Sequence, residues 1–411
     1  MTIVALSMRK LGDPRIAQLV MGQSPASETY NTFGRGLPFY QGKADFGLLY
    51  PRARVWCSAP LRIAERNDTL VSVRAPVGDV NLSEERCCLG RGVAAIRAAE
   101  SVNSIFLYFA MASAKERLAS VSTGTTFESI NKTALEDLEI PFPSLEEQKR
   151  IAALLWKVQR AIEVEEKLIA TARELKQAAM RQLFTHGLRG EAQQETEIGL
   201  IPDSWNPRTI LELCEIWSGG TPRKSIAEYW SGNVPWVSGK DLKSPSLDDA
   251  IDHISVAGVD SACRVAPQGA VLLLVRGMGL AKDLPVAVIN RPMTFNQDVK
   301  ALVTRGEYSG RFLRSAIYAG KERLLSRIVP SAHGTMTLNL DDVENFKVAC
   351  PSDPNEATEI VAIFDALDRK ISLHERKRLT LKELFKTLLH KLMTGEIRVA
   401  DLDIDVSEVT Q

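Results

Sequence analysis

The sequence has no paired cysteines, no metal-spaced histidines, no long apolar run and no excess of either charge. Its six cysteines, Cys57, Cys87, Cys88, Cys214, Cys263 and Cys350, include no C-x-x-C pair, and the adjacent Cys87 and Cys88 cannot hold one metal with relaxed geometry. They read as buried reduced thiols. His186, His253, His333, His374 and His390 show neither H-x-x-x-H nor H-E-x-x-H spacing, so no metal site is expected. No apolar stretch approaches the ~20 residues of a membrane span, and residues 1–20 lack the features of a signal peptide. The expectation is a soluble, cytoplasmic chain without a membrane partner.

Catalytic signatures are missing too. Residues 232–240 resemble a phosphate-binding loop only superficially: six residues separate Gly232 from Gly239 where that motif allows four, and Asp241 stands where a magnesium-binding hydroxyl belongs. There is no G-x-S-x-G elbow and no glycine-rich dinucleotide fingerprint. Asn206-Pro207-Arg208 lacks the paired proline and aromatic residue of amino-methylating enzymes. No active site is expected. The 51 basic residues balance the 51 acidic ones, which argues against a self-sufficient polyanion binder but leaves room for a local basic patch.

Glycine and proline are absent from residues 145–186 and again from residues 355–394. At ~1.5 Å per residue each stretch predicts a helical rod of ~60 Å. Ser144 followed by Glu147, and Asp353 followed by Pro354 and Glu356, are starting caps with an acidic third residue, and Gly187 and Gly395 are the stops. Along the first rod Ile151, Leu155, Val158, Ile162, Ile169, Ala172, Ala179 and Leu183 make a coiled-coil seam with a polar break at Glu165. Ile360, Phe364, Leu367, Ile371, Leu381, Leu388 and Leu392 repeat it, and the break falls at His374. The two breaks share a sequence offset of 209 with the whole stretch: residues 144–189 return as 353–398, Arg160-Ala161-Ile162 as Arg369-Lys370-Ile371 and Leu183-Phe184-Thr185 as Leu392-Met393-Thr394. Rods this long need cover, so they are expected to pair antiparallel and to bring Glu165 and His374 near each other.

The regions before the rods carry short β-prone runs such as residues 70–73 and 271–275, broken by Gly, Pro, Asn and Ser, and read as mixed α/β domains. They repeat more loosely. Gly22-Gln23-Ser24-Pro25 matches Gly219-Gly220-Thr221-Pro222, residues 38–43 match 235–240, Val73-Arg74 matches Val275-Arg276, and Gly124-Thr125 matches Gly334-Thr335. Residues 198–205 (I-G-L-I-P-D-S-W), then Gly219-Gly220-Thr221-Pro222, then Gly334-Thr335-Met336, then a capped rod, stand in order; residues 141–151 (P-F-P-S-L-E-E-Q-K-R-I) lead into the first rod. Over nearly the whole chain this combination resembles the specificity subunit of type I restriction-modification systems.

The resemblance implies an α+β protein with an internal pseudo-two-fold repeat: two mixed α/β target-recognition domains separated by two long helices packed as an antiparallel coiled coil. The segments are expected at 1–143 (first recognition domain), 144–186 (first helix), 187–197 (linker), 198–352 (second domain), 353–394 (second helix) and 395–411 (tail). Each domain would read one half of a bipartite site on double-stranded DNA. The implied partners are two methyltransferase subunits, with S-adenosylmethionine, and restriction/translocase subunits, with ATP and Mg; no cofactor is expected on this chain and no catalysis by it. One departure stands out: the I-G-x-I-P-x-x-W segment has no counterpart in residues 1–19, as in a truncated or diverged first domain.

Bases are read by Arg, Lys, Asn, Gln and small hydroxyl residues, and phosphates are held by Lys, Arg and hydroxyls. Beside the repeated framework the DNA-contact candidates are Gln23, Ser24, Lys43, Arg74, Thr123, Thr125 and Thr126 in the first domain. In the second they are Thr221, Arg223, Lys224, Ser238, Lys240, Arg276, His333, Thr335 and Met336. Against this, Gly-Thr turns are often only turns. Trp156, Leu168, Leu175 and Met180 on one rod, and Leu373, Leu379, Leu384 and Phe385 on the other, are apolar positions off the seam and are the candidates for docking methyltransferase subunits, although some would simply widen the seam. The alternative is a repeat adaptor that joins proteins without reading DNA, which the neutral charge favours. If the rods act as a ruler, with half-sites ~34 Å apart, inserting or deleting four residues in both rods changes the spacer and neither half-site. Sequencing of methylated adenines checks this, and an unchanged spacer removes the ruler.

Overall fold

The computed structural model describes residues 6–120, 129–330, 334–400 and 402–410. They form two compact units, one of Met1–Ile169 with Leu373–Gln411 and one of Ala170–Ser372. Each rod is one continuous helix, Leu145–His186 and Pro354–Thr394, ending at a left-handed glycine, Gly187 or Gly395. The unit boundary cuts both rods at their middles, so each unit contains one globular region and half of each rod.

Both globular regions are built around two larger sheets, beside separate two-stranded pairs. In the first unit Ala17–Met21, Val93–Ala98, Thr69–Ser72 and Val80–Leu82 form an antiparallel sheet in that order. The second sheet runs Tyr30–Asn31, Trp56–Cys57, Leu37–Tyr40, Cys87–Leu89, Ile63–Ala64, with Leu37–Tyr40 and Cys87–Leu89 parallel. The second unit repeats the plan. Cys214–Ser218, Val299–Thr304, Val271–Leu274, Val286–Ile289 and Ser246–Leu247 make one sheet; Asp252–Ile254, Val234–Val237, Met293–Phe295 and Val265–Ala266 make the other, again with one parallel pair. Continuous apolar runs such as Val271–Leu274 are buried on both faces, because a helix covers the sheet. That helix is Ser104–Ser113, capped by Asn103, in one unit and Gly310–Ala319, capped by Ser309, in the other.

The first domain does have a leading strand. Met8–Lys10 pairs with Glu139–Pro141 as Trp205–Thr209 pairs with Lys347–Pro351, and Met8 stands 197 residues before Trp205 at the same register position. The match was invisible in sequence because exposed Met8 replaces fully buried Trp205. Trp205 packs against Phe184 and Phe312. In the first unit the C-terminal tail joins the core instead: Val399 and Val409 are buried, and the Asn103 amide donates to the Val409 carbonyl at 2.6 Å.

Within each unit the half-rods run antiparallel. Glu147 takes a two-pronged contact from Arg398 at 2.6 Å, and Lys382 reaches Glu166 at 2.9 Å; in the other unit Lys176 pairs with Asp368, and Glu356 accepts from the Leu188 N–H at 2.8 Å. The seam residues Ile151, Leu155, Ile162, Ile169, Ala172 and Leu183 of the first rod, and Ile360, Phe364, Ile371 and Leu392 of the second, are buried. The cap carboxylates depart from the expected capping box. Ser144 does accept the Glu147 N–H at 3.3 Å, but the Glu147 side chain turns instead to the exposed Arg398 guanidinium and that of Glu356 to the buried Trp205 indole.

The polar breaks meet: His374 Nδ1 lies 2.6 Å from Glu165 Oε2, and Lys377 Nζ lies 2.6 Å from the other oxygen. Hydrogen bonds from Lys377 and then His374 outweigh burial and hold the Glu165 carboxyl below its ordinary 4.5. A lowered folded-state value contributes stability that is present above about pH 4.5 and lost as the pH falls through the folded value. In Glu165→Gln, the fall in thermal midpoint between about pH 5 and about pH 3 is therefore expected to be smaller than in the wild type. Scanning calorimetry checks this; identical falls would remove the linkage.

Candidate nucleic-acid interface

In each unit the polypeptide crosses from one sheet to the other through a three-residue loop, residues 90–92 or 296–298, and the predicted contact residues gather around it. On one side lies the glycine turn. The Gly22 and Gln23 N–H groups donate to the carbonyls of Val93 and Leu89 at 3.0 Å, and the Gly220 N–H to Phe295 at 2.9 Å. A side chain at Gly22 would meet the Gly90 carbonyl at 2.1 Å, and one at Gly219 the Phe295 carbonyl at 2.2 Å, so close backbone approach demands glycine. Ser24 Oγ then accepts the Arg91 N–H at 3.3 Å, and the Thr221 hydroxyl donates to Gln297 Oε1 at 2.5 Å.

On the other side lies the strand end that carries an arginine. The Val73 N–H donates to Gly92 and the Val275 N–H to Asp298, at 2.9 and 2.8 Å. Arg74 and Arg276 follow, both exposed, in isolated bridges to Ser129 and Thr337. In the second unit the Gly277 N–H donates to the Met336 carbonyl at 2.9 Å, which brings Thr335 and Met336 alongside; both are half-buried, and Met336 packs against the core. Gln23, Arg223 and Lys224 are exposed. Thr123, Thr125, Thr126 and His333 lie outside the described residues.

The two framework lysines border the same loops, since the Gly90 N–H donates to Tyr40 at 2.8 Å and the Asn296 N–H to Val237 at 2.9 Å. Both are already ion-paired: Lys43 with Asp79, which also holds Lys115 at 2.6 Å, and Lys240 with Asp252 at 2.6 Å. Burial pushes the Asp79 carboxyl up, but the two lysines prevail and hold it below the usual range. The exposed Lys240–Asp252 pair is worth ~0–1 kcal/mol, so a phosphate can replace its carboxylate. Ser238 is tied into its turn, its N–H and hydroxyl both donating to Asp241 Oδ2, as the Gln41 N–H donates to Asp45.

Sequence reasoning missed Arg91 and Gln297, the exposed middle residues of the two crossing loops. They stand 206 residues apart, an offset between those of the flanking matches, and an alignment anchored on Leu89 and Phe295 would have found them.

The apolar rod positions divide into three groups. Trp156 and Met180 are corrections: they are buried in the cores of the first and second units, because the globular regions cover a third face of the rods. Phe385 is half-buried, its ring 5.8 Å from that of Phe109. Leu168, Leu175, Leu373, Leu379 and Leu384 are exposed, together with Val164. By the 209 offset Val164 corresponds to Leu373 and Leu175 to Leu384, while Leu168 corresponds to Lys377.

Among the described residues no group of His, Cys, Asp and Glu side chains could hold a metal, and no helix is long and apolar enough to cross a membrane. Burial pushes the Cys87, Cys88, Cys214 and Cys350 thiols up to about 12, far from thiolate reactivity.

Comparison with known proteins gives one family. A sequence profile described as the type I restriction modification DNA specificity domain matches residues 60–174 and 202–383. The putative type I restriction enzyme MjaX specificity subunit of Methanocaldococcus jannaschii is 39% identical over 181 residues, which is 44% of this chain and 43% of that relative. The chain thus spans less than half the length of this relative. The MjaIX specificity subunit of the same organism is 25% identical over 419 residues, covering 96% of this chain and 94% of the relative. The crystal structure of a type I restriction-modification S subunit from M. genitalium shares the fold with a TM-score of 0.66 at 18% identity, covering 96% of this chain and 97% of that one.

The exposed framework pair supplies a test of phosphate contact. Lys240→Ala is expected to change stability by less than ~1 kcal/mol while lowering the slope of log affinity against log salt by ~0.9. Salt titrations of DNA binding check this, and an unchanged slope removes Lys240 from the interface.

Proposed function

The chain belongs to the type I restriction-modification DNA specificity family, and from this we propose that it is the non-catalytic subunit that selects a bipartite DNA sequence for methyltransferase and restriction partners. The observation that carries the proposal is the twin corner: each unit brings a glycine turn, a crossing loop and a strand-end arginine together, on one scaffold with different side chains. A duplicated scaffold with unlike loop residues is what two unlike half-sites require.

In this reading Arg74, Arg276, Lys43, Lys240, Arg223 and Lys224 hold phosphates and set the register, while the hydroxyl and amide groups near the crossing loops face base edges. The exposed leucines of the rods dock two methyltransferase subunits, and the paired rods fix the spacer. S-adenosylmethionine belongs to the methyltransferase subunits, and ATP and Mg to the restriction/translocase subunits, all working on cytoplasmic DNA. The balance of 51 basic and 51 acidic residues suits this division, because partners supply much of the grip on DNA.

A mobility-shift titration of the chain with its methyltransferase subunit tests the proposal. Salt-sensitive binding to one bipartite sequence, at least ~10³-fold tighter than to a scrambled one, is expected. A stable protein complex without sequence discrimination would leave only a protein-joining role.

A further inference from the structure

We propose that Arg91 and Gln297 are equivalent specificity-determining residues, one per recognition domain: Arg91 reads a guanine in one half-site and Gln297 an adenine in the other. The inference rests on the DNA-reading role proposed above and adds which residue reads which base.

Both residues sit at the middle of a loop whose ends are fixed. Leu89 and Val93 flank one loop and Phe295 and Val299 the other, and all four are fully buried. The loops are closed by the same bonds: Val93 N–H to the Gly90 carbonyl at 3.1 Å, and Val299 N–H to the Asn296 carbonyl at 3.3 Å. Each is also held from both sides by the glycine turn and the arginine strand described above. A loop whose backbone is held this way loses little further backbone freedom on binding.

The tip side chains make few contacts of their own among the described residues. The Arg91 guanidinium makes no hydrogen bond or ion pair among the described residues, although it is exposed beside Ser24. Gln297 receives one hydrogen bond, from Thr221, which orients its amide and leaves both amide N–H groups and a second oxygen lone pair free. Thr221 is thus a positioning residue. The chemistry of the tips then selects the base: a guanidinium presents two parallel donors that match O6 and N7 of guanine, and a carboxamide presents one donor and one acceptor that match N7 and N6 of adenine.

The test uses the complex of the full chain with its methyltransferase subunit and reads the methylated motif by single-molecule sequencing. Gln297→Arg is expected to change one position of one half-site from adenine toward guanine, with a discrimination shift of about tenfold or more. Arg91→Gln is expected to change one position of the other half-site from guanine toward adenine. In both variants the opposite half-site stays as in the wild type. Should Arg91→Gln abolish methylation, Arg91→Lys, which keeps donors for guanine, is expected to retain the original motif. Loss of methylation in Arg91→Lys with an unchanged melting temperature would overturn the assignment, as would variants that keep both half-sites unaltered. A wild-type complex without any bipartite motif would instead overturn the DNA-reading role itself, and this inference with it.

Discussion

A buried carboxylate at the third position of each rod is the constraint on which the arrangement depends. Glu147 and Glu356 are almost fully enclosed and stand 209 residues apart. A buried charge persists only if donors surround it. The donors come from the chain that leaves the other rod: the Arg398 guanidinium for Glu147, and the Leu188 N–H with the Trp205 indole for Glu356. Each carboxylate therefore ties the start of one rod to the end of the other within its own unit. Antiparallel register follows from this, as does the path of the chain into the globular region. The capping hydroxyl of Ser144 can satisfy an orphan N–H by itself, which frees the acidic side chain for the larger task.

The second consequence is a rigid base for the loops. Two sheets in each unit share one crossing strand pair, so the loop between them is short and tied at both ends. Glycine is required where backbones touch at residues 22 and 219, and these contacts set the distance between the turn and the crossing loop. Variation is then confined to side chains that point away from the sheets. A scaffold can carry Arg91 in one copy and Gln297 in the other because both side chains lie exposed at the loop surface.

Much of this was legible in sequence where a periodicity or a cap carried it. The rods, their stops at Gly187 and Gly395, the seam and the meeting of Glu165 with His374 all followed from spacing, because a helix repeats every 3.6 residues and a fixed register preserves the match. The globular regions were legible only as mixed α/β runs. Their offset drifts from 197 at Met8 and Trp205 to 206 at Arg91 and Gln297 through insertions in loops, and short strands give no period long enough to follow it. Trp156 and Met180 failed as docking residues for a related reason. Helical spacing shows that a face is apolar, but which neighbour covers it is a tertiary fact.

The break at mid-rod explains why the two exposed stripes differ. A seam of apolar residues would not need Glu165, and a carboxylate buried there needs more than one donor to offset its desolvation. His374 supplies one from the equivalent seam position, and the second comes from outside the seam, from Lys377. Lys377 occupies the stripe position that Leu168 holds on the other rod, so satisfying the seam removes an apolar residue from one stripe and not from its twin. The pseudo-two-fold symmetry is thus kept in the backbone register and lost in the side chains at this point. Two stripes that match at Val164 and Leu373, and at Leu175 and Leu384, but differ between Leu168 and Lys377 present related rather than identical surfaces to whatever binds them.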